Sequence, residues 1–478
     1  MPTPVGRTPS DSEVGDKHSD HGDETPRAVG AARPASSRNG DACLLELDHG
    51  ARIVSGNSGD HALVLQLLVQ SRQTALADDF QSRLDEPNYR PSDRLLLRRD
   101  KSLLGHVHVA SHIAWFEGQR VAVVKLEDFA LLPEYVDSSY GGELLAAAES
   151  IAAGEGAVLA LVHTDRPEWF QSRGWSFLRG QGHTRASARA VLAHLDAQEL
   201  TRRKKRSGIN VRTWRHFELD QIRRLYDQAA PELWGPLYRS EACWQWLIGR
   251  KAQDQVLLAV QHGKAVPSVL PNGDGADHLD EAAAGYAVVS GSSIVEMITT
   301  PNASAARVQL LARACREAMD RDHHSISLYT PAADPLHELL VTAGGAWIDD
   351  ASSNGPRWML RVLAPERWID RCYALWRHRA RAADVPRPFA LGMVAGDESY
   401  HFTLTRRSSR LEPSSTLPID QIRCDSPTFE SLLTGNLAIN AAIASGKLQL
   451  SRADLGAAVS ALFPARLFWQ SPLELIRL

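Results

Sequence analysis

One stretch of the sequence places a strand, a loop of small and polar residues and a helix directly after one another. The Val- and Leu-rich run Arg120–Leu132 predicts the strand, and the alanine-rich run Gly141–Ala153 predicts the helix. Between them lie Pro133 and the segment Asp137–Tyr140. A helix N-terminus presents unpaired N–H groups at the positive end of a dipole, and small residues let the backbone approach a bound anion. The stretch therefore predicts a binding site for a diphosphate group.

The elements on either side of this stretch predict a mixed sheet. Strands are expected at Leu95–Arg98, Leu103–Trp115 and Ala157–His163. A short helix is expected at Glu168–Arg173, before Gly174. Three consecutive strands followed by a β-α-β unit imply both parallel and antiparallel pairs. The helix that crosses over between the two parallel strands should give a right-handed connection.

The strand, loop and helix resemble the signature of the GNAT superfamily of N-acetyltransferases. That signature runs from a strand through Pro-x-Tyr to Arg/Gln-x-x-Gly-x-Gly/Ala and a helix of the Ala-Leu-Leu type. Pro133–Tyr135 matches its start, Gly141 matches its last glycine, and Leu144–Ala146 matches its helix. Val136 stands at the first position of the motif, and Ser139 stands at its middle glycine.

A second match follows the next strand, where Pro167–Trp175 fits the short helix and the aromatic-x-x-x-Gly-aromatic pattern of the family. The resemblance implies that acetyl-CoA binds as a co-substrate and that no metal takes part. It also implies that Ala157–His163 diverges from the end of the preceding strand, with the pantetheine arm in the gap. The implied cofactor-binding residues are Phe129, Ala130, Leu131, Asp137, Ser138, Ser139, Tyr140, Gly141, Gly142, Asp165 and Arg166.

The chemistry of this family is the attack of a neutral amine on a thioester. It needs a proton acceptor for the amine, a donor for the tetrahedral oxygen and an acid for the leaving thiolate. Many members place a tyrosine in the last helix as the acid, whereas the matching residue here is Phe170. Tyr140, in the phosphate loop, is a candidate substitute. Glu127 and Asp128 are candidate bases, with ion pairing alone as the alternative role.

The rest of the sequence predicts two further folded units. Strands at Gly285–Ser290 and Ser293–Ile298, followed by a helix at Ser304–Met319, repeat the order of the first unit without a glycine-rich loop. The run Cys424–Leu450 resembles the sterol-carrier-protein fold. The predicted fold class is therefore α+β (mixed α/β), with tandem GNAT folds on mixed sheets and a C-terminal sterol-carrier-like domain.

These units divide the chain into five segments. Residues 1–41 are rich in Pro, Gly, Ser, Asp and Arg and have few large apolar side chains, so a disordered tail is expected. The other segments are a GNAT acetyltransferase domain at 42–200, a basic linker at 201–209, a degenerate second GNAT-like domain at 210–363 and the sterol-carrier-like domain at 364–478.

Two GNAT units followed by a sterol-carrier-like unit resemble the enhanced-intracellular-survival-type acetyltransferases. In that family the C-terminal carboxylate of the chain enters the first domain as a base. The resemblance therefore implies a catalytic role for Leu478, and Tyr140 is the second predicted catalytic residue. It also implies an acceptor that is a small-molecule or peptidyl amine, and a homo-oligomer.

Composition argues against several other classes of protein. The net charge of −4 and the pI of about 6.5 disfavour nucleic-acid binding, and the basic run Arg202–Arg206 is interpreted as a solvated linker. No apolar run is long enough to span a membrane. The five cysteines lack C-x-x-C spacing, which favours the cytoplasm over a disulfide framework or a zinc site. His106, His108 and His112 are interpreted as the polar face of a strand, with a metal site as the alternative.

Two hypotheses follow from these observations. The first is an acetyl-CoA-dependent N-acetyltransferase that acts on an amine by direct attack on the thioester. The second is a catalytically inactive GNAT scaffold that binds a ligand or lipid or forms an assembly. Its motivation is the set of departures from the family pattern at Val136, Asp137, Ser139 and Phe170.

Overall fold

The computed structural model of the protein describes residues 43–71, 77–198, 208–250, 253–261, 282–350 and 355–475. Three predictions fall outside these ranges. They are the disordered tail at 1–41, most of the basic linker, and the catalytic role of Leu478.

The described strands belong to three sheets. In chain order, the first ten are β1 (Cys43–Glu46), β2 (Ala51–Ser55), β3 (Arg94–Arg99), β4 (Ser102–Phe116), β5 (Gln119–Leu131), β6 (Leu159–Thr164), β7 (Ser176–Phe177), β8 (Gly182–Ser187), β9 (Ile209–Thr213) and β10 (Trp234–Leu237). The later strands are β11 (Gln255–Gln261), β12 (Ala282–Ser290), β13 (Ser293–Thr299), β14 (Ser325–Leu328), β15 (Ala346–Asp349), β16 (Arg357–Val362), β17 (Phe389–Ala395), β18 (Glu398–Leu404), β19 (Ser409–Pro413), β20 (Gln421–Cys424) and β21 (Gln449–Leu450).

Fourteen α-helices lie in the described ranges. They are α1 (His61–Gln70), α2 (Ala77–Leu84), α3 (Tyr140–Gly154), α4 (Pro167–Gln171), α5 (Ala188–Ala197), α6 (Leu219–Ala229), α7 (Glu241–Gly249), α8 (Ser304–Asp320), α9 (Pro335–Thr342), α10 (Pro365–Arg371), α11 (Tyr373–Ala382), α12 (Ser426–Leu433), α13 (Ile439–Ala444) and α14 (Leu455–Leu462). None of them is both long and apolar enough to cross a membrane.

The first sheet contains the predicted strand-loop-helix stretch. Its nine strands have the order β1-β2-β3-β4-β5-β6-β16-β7, and β10 pairs with β4 at its side. The β5–β6 pair is parallel, while β3–β4 and β4–β5 are antiparallel. α3 connects the parallel pair, and its apolar face, including Leu144, Leu145 and Ala148, is buried against the sheet. The mixed sheet predicted from the sequence is confirmed.

The second sheet has seven strands in the order β15-β8-β14-β13-β12-β11-β9. Its single parallel pair is β13–β14, and α8 connects these two strands. α8 buries Leu310, Leu311 and Cys315 completely in the core on one face of the sheet. The second sheet therefore repeats an arrangement of the first sheet, in which a helix connects two parallel strands.

The two sheets exchange strands along the chain. β8 precedes the predicted boundary at residue 200, yet it pairs with β14 and β15 of the second sheet. β16 follows the second unit's elements, yet it pairs with β6 and β7 of the first sheet. β16 thereby covers the outer edge of β6, which would otherwise present unpaired backbone groups. Sheet membership thus differs from the linear order of the predicted segments.

The third sheet has the order β19-β18-β17-β20-β21, with a parallel β17–β20 pair. Its core includes Trp368 and Trp376, both fully buried. This core continues into the first sheet, because the Trp368 ring meets the Phe116 ring edge-on with centroids 5.0 Å apart. The C-terminal unit is therefore fused to the β4–β5 hairpin by shared apolar packing.

The chain after α14 returns to the first two sheets. Phe468 joins the core around Phe116, and the Trp469 indole N–H donates to the carbonyl of Tyr329 at 3.0 Å. Glu474 then forms a buried ion pair with Arg239 at 2.8 Å. This segment ties all three sheets together near the end of the described chain.

Candidate functional site

The candidate site lies where the two parallel strands of the first sheet separate. β5 and β6 pair from Val123–Leu159 through Leu126–Val162. Beyond that point β5 carries a bulge, with Asp128 in the left-handed region at φ 53°. The bulge bends β5 away from β6 and opens a cavity of about 800 Å³. That volume lies within the range typical of small-molecule and cofactor sites.

Several elements supply the walls of this cavity. α1 and α2 form one side, the ends of β5 and β6 form the floor, and α4 forms the other side. The lining residues are Leu68, Ser71, Asp79, Phe80, Arg83, Leu126, Asp128, Phe129, Ala130, Leu131, Pro133, Val136, Asp137, Val162, His163, Thr164, Asp165, Arg166, Trp169, Phe170 and Pro356.

The structure brings six of the eleven predicted cofactor-binding residues to the cavity wall. These six are Phe129, Ala130, Leu131, Asp137, Asp165 and Arg166. The other five belong to the loop before α3 or to its first turn and are not lining residues; they are Ser138, Ser139, Tyr140, Gly141 and Gly142.

The start of α3 packs tightly against the cavity wall. A Cβ atom on Gly141 would lie 2.9 Å from Leu131 Cδ1 and 3.0 Å from Trp169 Cζ2, so glycine is needed there for close packing. A Cβ atom on Gly142 would meet only Arg173, at 3.6 Å from its Nε. The two neighbouring glycines therefore differ in how much space surrounds them.

Arg173 is a functional candidate that the sequence motifs did not reveal. Its guanidinium stacks 3.9 Å from the centroid of the Trp169 ring, and Nη1 donates to the Trp169 carbonyl at 3.0 Å. The side chain is exposed beside Gly142 at the start of α3. It adds a positive charge near the helix N-terminus, whereas Val136 supplies none from the loop.

Tyr140 lies apart from the cavity. Its ring is 8% exposed within the core of the first sheet, and its hydroxyl donates to the carbonyl of Asp48 at 3.3 Å. The catalytic role predicted for Tyr140 stays a prediction. Phe170, in contrast, lines the cavity and packs against Phe129 and Trp175, with ring centroids 5.7 and 5.4 Å away.

A charged cluster lies behind the bulge. Arg83 pairs with Glu127 at 2.5 Å and with Asp128 at 3.3 Å. Lys125 is 3.0 Å from Glu127, and Arg94 is 3.4 Å from Asp128. Burial alone would raise the pKa of both carboxyl groups, but these cations hold the pKa of Glu127 well below its usual range and also lower that of Asp128. Both carboxylates are therefore ionised at neutral pH.

Glu86 is the exception among the acids of this cluster. Burial, followed by repulsion from Glu127, raises the pKa of Glu86 to about 7. Two histidines nearby shift the other way. Burial and Lys125 lower the pKa of His112 to about 3 and that of His163, which lines the cavity, to about 4. Both rings are thus neutral at pH 7.

The histidines of β4 belong to this electrostatic cluster. His108 Nδ1 is 3.4 Å from Glu127, and His106 Nδ1 is 3.0 Å from the carbonyl oxygen of Asp128. Across the described part of the chain, no group of three or more His, Cys, Asp or Glu side chains is arranged to hold a metal ion.

The second half of the chain supports the wall that carries Arg83. The indole N–H of Trp246, on α7, donates to the carbonyl of Ser82 at 2.8 Å. Arg250, just after α7, donates to the carbonyl of Leu475 at 3.0 Å. The end of the described chain is thus held beside α2.

Comparisons with known proteins identify the fold. No family model and no curated protein matches the sequence. The crystal structure of a GCN5-related N-acetyltransferase from Kribbella flavida has a TM-score of 0.63 and 16% identity, and covers 88% of this chain and 97% of that chain. A GCN5-related N-acetyltransferase from Anabaena variabilis ATCC 29413 has a TM-score of 0.63 and 13% identity, over 88% and 99%. Eis1 from Mycobacterium abscessus has a TM-score of 0.57 and 15% identity, over 88% and 99%.

At these identities the likeness shows the fold. The chain has a fold similar to that of these GCN5-related N-acetyltransferases over nearly their full length. The predicted fold class, a mixed α/β protein with tandem GNAT folds, is confirmed, and the sterol-carrier-like character of the C-terminal unit stays a prediction.

Proposed function

We propose that the protein is an acetyl-CoA-dependent N-acetyltransferase whose reaction takes place in the cavity between β5 and β6. The observation that carries the proposal is the bulge at Asp128, which separates two parallel strands directly beside the N-terminus of α3. A thioester arm needs such a gap, and a diphosphate is stabilised at such a helix terminus. The N-acetyltransferase fold of similar proteins supports this assignment.

The residues around the cavity fit acetyl-CoA in shape and partly in charge. Phe129–Leu131 form one wall of the gap, and the first turn of α3 offers backbone N–H groups to the diphosphate. Arg173 adds positive charge beside that turn, Arg166 adds it on the cavity wall, and the Asp137 carboxylate on the same wall opposes it. We therefore expect binding that depends on backbone groups and on these two arginines.

The proposed reaction is a direct transfer. The amine nitrogen attacks the thioester carbonyl carbon, so a C–N bond forms and the C–S bond breaks. Asp128, an ionised carboxylate on the cavity wall, accepts the proton that the amine loses. The departing thiolate takes a proton from water. Thiols ionise near pH 8.5, so a thiolate leaves without needing the side-chain acid that Phe170 lacks.

The acceptor proposed is a small-molecule or peptidyl amine. The cavity wall carries the carboxylates of Asp79, Asp128 and Asp165 as well as Arg83. A cationic amine is attracted to such carboxylates before it loses its proton. A cytoplasmic homo-oligomer is also part of the proposal, and light scattering after size-exclusion chromatography measures the assembly.

Calorimetric titration with acetyl-CoA, together with thiol release over a panel of amines, tests the proposal. Binding with turnover, lost in Asp128→Asn, is the expected result. Because Asp128 also pairs with Arg83 and Arg94, a thermal melt must show that the variant is folded. Absence of acetyl-CoA binding by the wild-type protein would remove the proposal.

The implied role of Leu478 has its own test. A chain shortened to end at Leu475, where the carbonyl is held by Arg250, should keep its acetyl-CoA affinity and lose turnover. Unchanged turnover would exclude a catalytic role for residues 476–478.

The competing function is a scaffold that binds ligands without catalysis, and Phe170 is the observation that favours it. Its ring lines the cavity at the place where the family's acid is expected. If acetyl-CoA binds without turnover over the whole panel, and Phe170→Tyr restores turnover, the wild-type chain is a binding protein.

A further inference from the structure

A strongly basic cleft lies at the C-terminal end of α11. Two adjoining recesses of about 420 and 220 Å³ share three of its side chains. These recesses face solvent between α11, the loop that follows it and the turn after β18. The basic cleft is lined by Arg377, His378, Arg381, Arg387 and Arg406.

The charge of this region is unbalanced. Residues 371–410 contain eight arginines and three acidic residues, although the whole chain has a net charge of −4. Arg379 and Arg410, in the same segment, form ion pairs at 3.2 and 3.7 Å. None of the four cleft arginines has such a pair among the described residues, and the exposed Asp384 borders only the smaller recess. Neighbouring cations that lack counter-charges repel one another, and a bound anion relieves this repulsion.

Side-chain contacts hold the cleft in shape. The Tyr373 hydroxyl donates to the carbonyl of Arg406 at 2.5 Å, which fastens the turn after β18 to α11. The Thr405 hydroxyl accepts backbone N–H groups of that turn, including that of Ser408 at 2.9 Å. The Arg377 guanidinium lies 5.6 Å from the centroid of the Tyr373 ring. Contacts with Tyr373 therefore hold two of the cleft arginines, Arg377 and Arg406, in position.

The number and type of these side chains indicate the class of ligand. A guanidinium forms paired hydrogen bonds to phosphate oxygens, and several of them around one recess match an anion of more than one charge. We propose that the basic cleft binds a ligand that carries two or more neighbouring phosphate groups, as a soluble molecule or as a lipid headgroup.

The cleft is distinct from the cavity between β5 and β6. Arg379, on α11, pairs with Glu117 in the turn that begins β5, whereas the cavity opens at Asp128 near the other end of that strand. Gln119, where β5 begins, and Asp128 are nine residue steps apart along the strand. At about 3.3 Å for each step, these points are separated by roughly 30 Å. The cleft proposal therefore does not depend on the proposed function.

Calorimetric titration with inorganic tripolyphosphate at physiological salt tests the proposal. The full chain should bind it, and Arg377→Gln/Arg381→Gln/Arg406→Gln should weaken binding roughly tenfold or more. The matched control is Arg371→Gln/Arg423→Gln, which removes exposed arginines of the same domain outside the cleft and should leave the affinity unchanged. Thermal melts check that both variants fold.

Three results of the tripolyphosphate titration would overturn the proposal. They are no binding by the wild-type chain, equal weakening in the cleft and control variants, and binding that survives in the cleft variant but is lost in Arg173→Gln. Flotation with phosphatidylcholine vesicles, with and without cardiolipin, distinguishes the two sources. Cleft-dependent flotation assigns a lipid headgroup, and its absence assigns a soluble ligand. Cleft-dependent binding of a DNA oligonucleotide that is tighter than that of tripolyphosphate would also overturn the proposal.

Discussion

Arg173 and Val136 differ in what they contribute to the proposed acetyl-CoA site. The family motif places a positive or polar side chain at the position of Val136. Here Arg173, two residues after α4, carries a positive charge beside α3, with its guanidinium stacked on the Trp169 ring. Because Arg173 lies outside the loop before α3, the residue spacing of that loop does not predict its charge.

Arg173→Gln should weaken acetyl-CoA binding about three- to tenfold, because a charge-assisted contact to phosphate is lost at an exposed site. The exposed Arg189, on α5, provides the control substitution Arg189→Gln. Calorimetry at low and high salt measures the acetyl-CoA affinity of both variants. The difference in affinity between them should become smaller as the salt concentration rises. Equal affinities at low salt would remove Arg173 from the site.

Gly141→Ala and Gly142→Ala form a matched pair. The first should weaken acetyl-CoA binding, because its Cβ must displace Leu131 and Trp169, both of which line the cavity. The second has room for its Cβ and should raise the free energy of unfolding by up to about 1 kcal/mol through helix propensity. Urea unfolding and calorimetry measure the two effects. Equal acetyl-CoA affinities in both variants would contradict the packing argument.

Glu86 makes the stability of the protein depend on pH. Its pKa is raised to about 7 in the folded chain, above its ordinary value of 4.5. The folded state therefore holds a proton that the unfolded state has released, and this contribution is lost as the pH rises through 7. Relative to the wild-type chain, Glu86→Gln should gain up to about 3 kcal/mol of unfolding free energy between pH 5 and pH 8. A constant difference over that pH range, measured by urea titration, would disprove the assignment.

At the scale of elements, two similar parallel strand pairs differ in what lies beside the point where the strands separate. β5 and β6 diverge around an open cavity. β13 and β14 separate sooner, after pairing at two positions, Ser293–Ser327 and Ile294–Leu328. Beside the end of β14, Trp469 from the C-terminal segment donates to the Tyr329 carbonyl. The same local topology thus accompanies an open cavity in one sheet and a packed chain segment in the other.

The exchanged strand β16 is joined to α12 by an ion pair. Arg361 donates to the carbonyl of Gly174 at 2.9 Å and pairs with Glu430 on α12 at 2.9 Å. Burial raises the pKa of Glu430 to about 7, although Arg361 opposes the shift. At pH 8, Arg361→Met should cost about 1–3 kcal/mol of unfolding free energy, because the buried Glu430 carboxylate loses its cation and keeps only the Val362 N–H.

Two controls accompany Arg361→Met. At pH 5.5 its cost should be smaller, since Glu430 is then protonated in the folded chain. The double variant Arg361→Met/Glu430→Gln should also lose less at pH 8. A cost that does not change with pH would show that Arg361 acts through packing alone.

At the scale of the whole molecule, a buried triad joins the first sheet, the second sheet and the C-terminal segment. Arg239 follows β10 of the first sheet, Glu296 lies on β13 of the second, and Glu474 belongs to the C-terminal segment. Arg239 donates to Glu296 at 2.9 and 2.6 Å and to Glu474 at 2.8 Å. Removing the Glu296 carboxylate therefore tests the connection to the second sheet, and removing the Glu474 carboxylate tests the connection to the C-terminal segment.

Glu474→Gln should cost about 1–2 kcal/mol, because Arg239 keeps its bidentate partner. Glu296→Gln should cost about 3–5 kcal/mol, because it disrupts the paired contact of a fully buried cation. Urea unfolding ranks the two variants, and limited proteolysis should cleave the C-terminal segment faster in Glu474→Gln. Equal costs would mean that the triad acts as one unit.

Local pattern determined the elements of the first unit. The run Arg120–Leu132 became β5 (Gln119–Leu131) and the run Gly141–Ala153 became α3 (Tyr140–Gly154), each within one residue. Period-2 and period-3.6 apolar spacing acts between near neighbours, so it is visible in the sequence. The mixed sheet followed from these elements, whereas the six cavity-lining residues were implied by the resemblance to the GNAT signature.

Only the tertiary structure determined which residues on different elements contact one another. The pairing of β16 with β6, the position of Arg173 beside α3 and the cluster of Arg83 with Glu127 all join residues far apart in sequence or on different elements. The placement of the Tyr140 hydroxyl on the Asp48 carbonyl has the same origin. Such contacts depend on how whole elements pack, and neither helical nor strand periodicity encodes them.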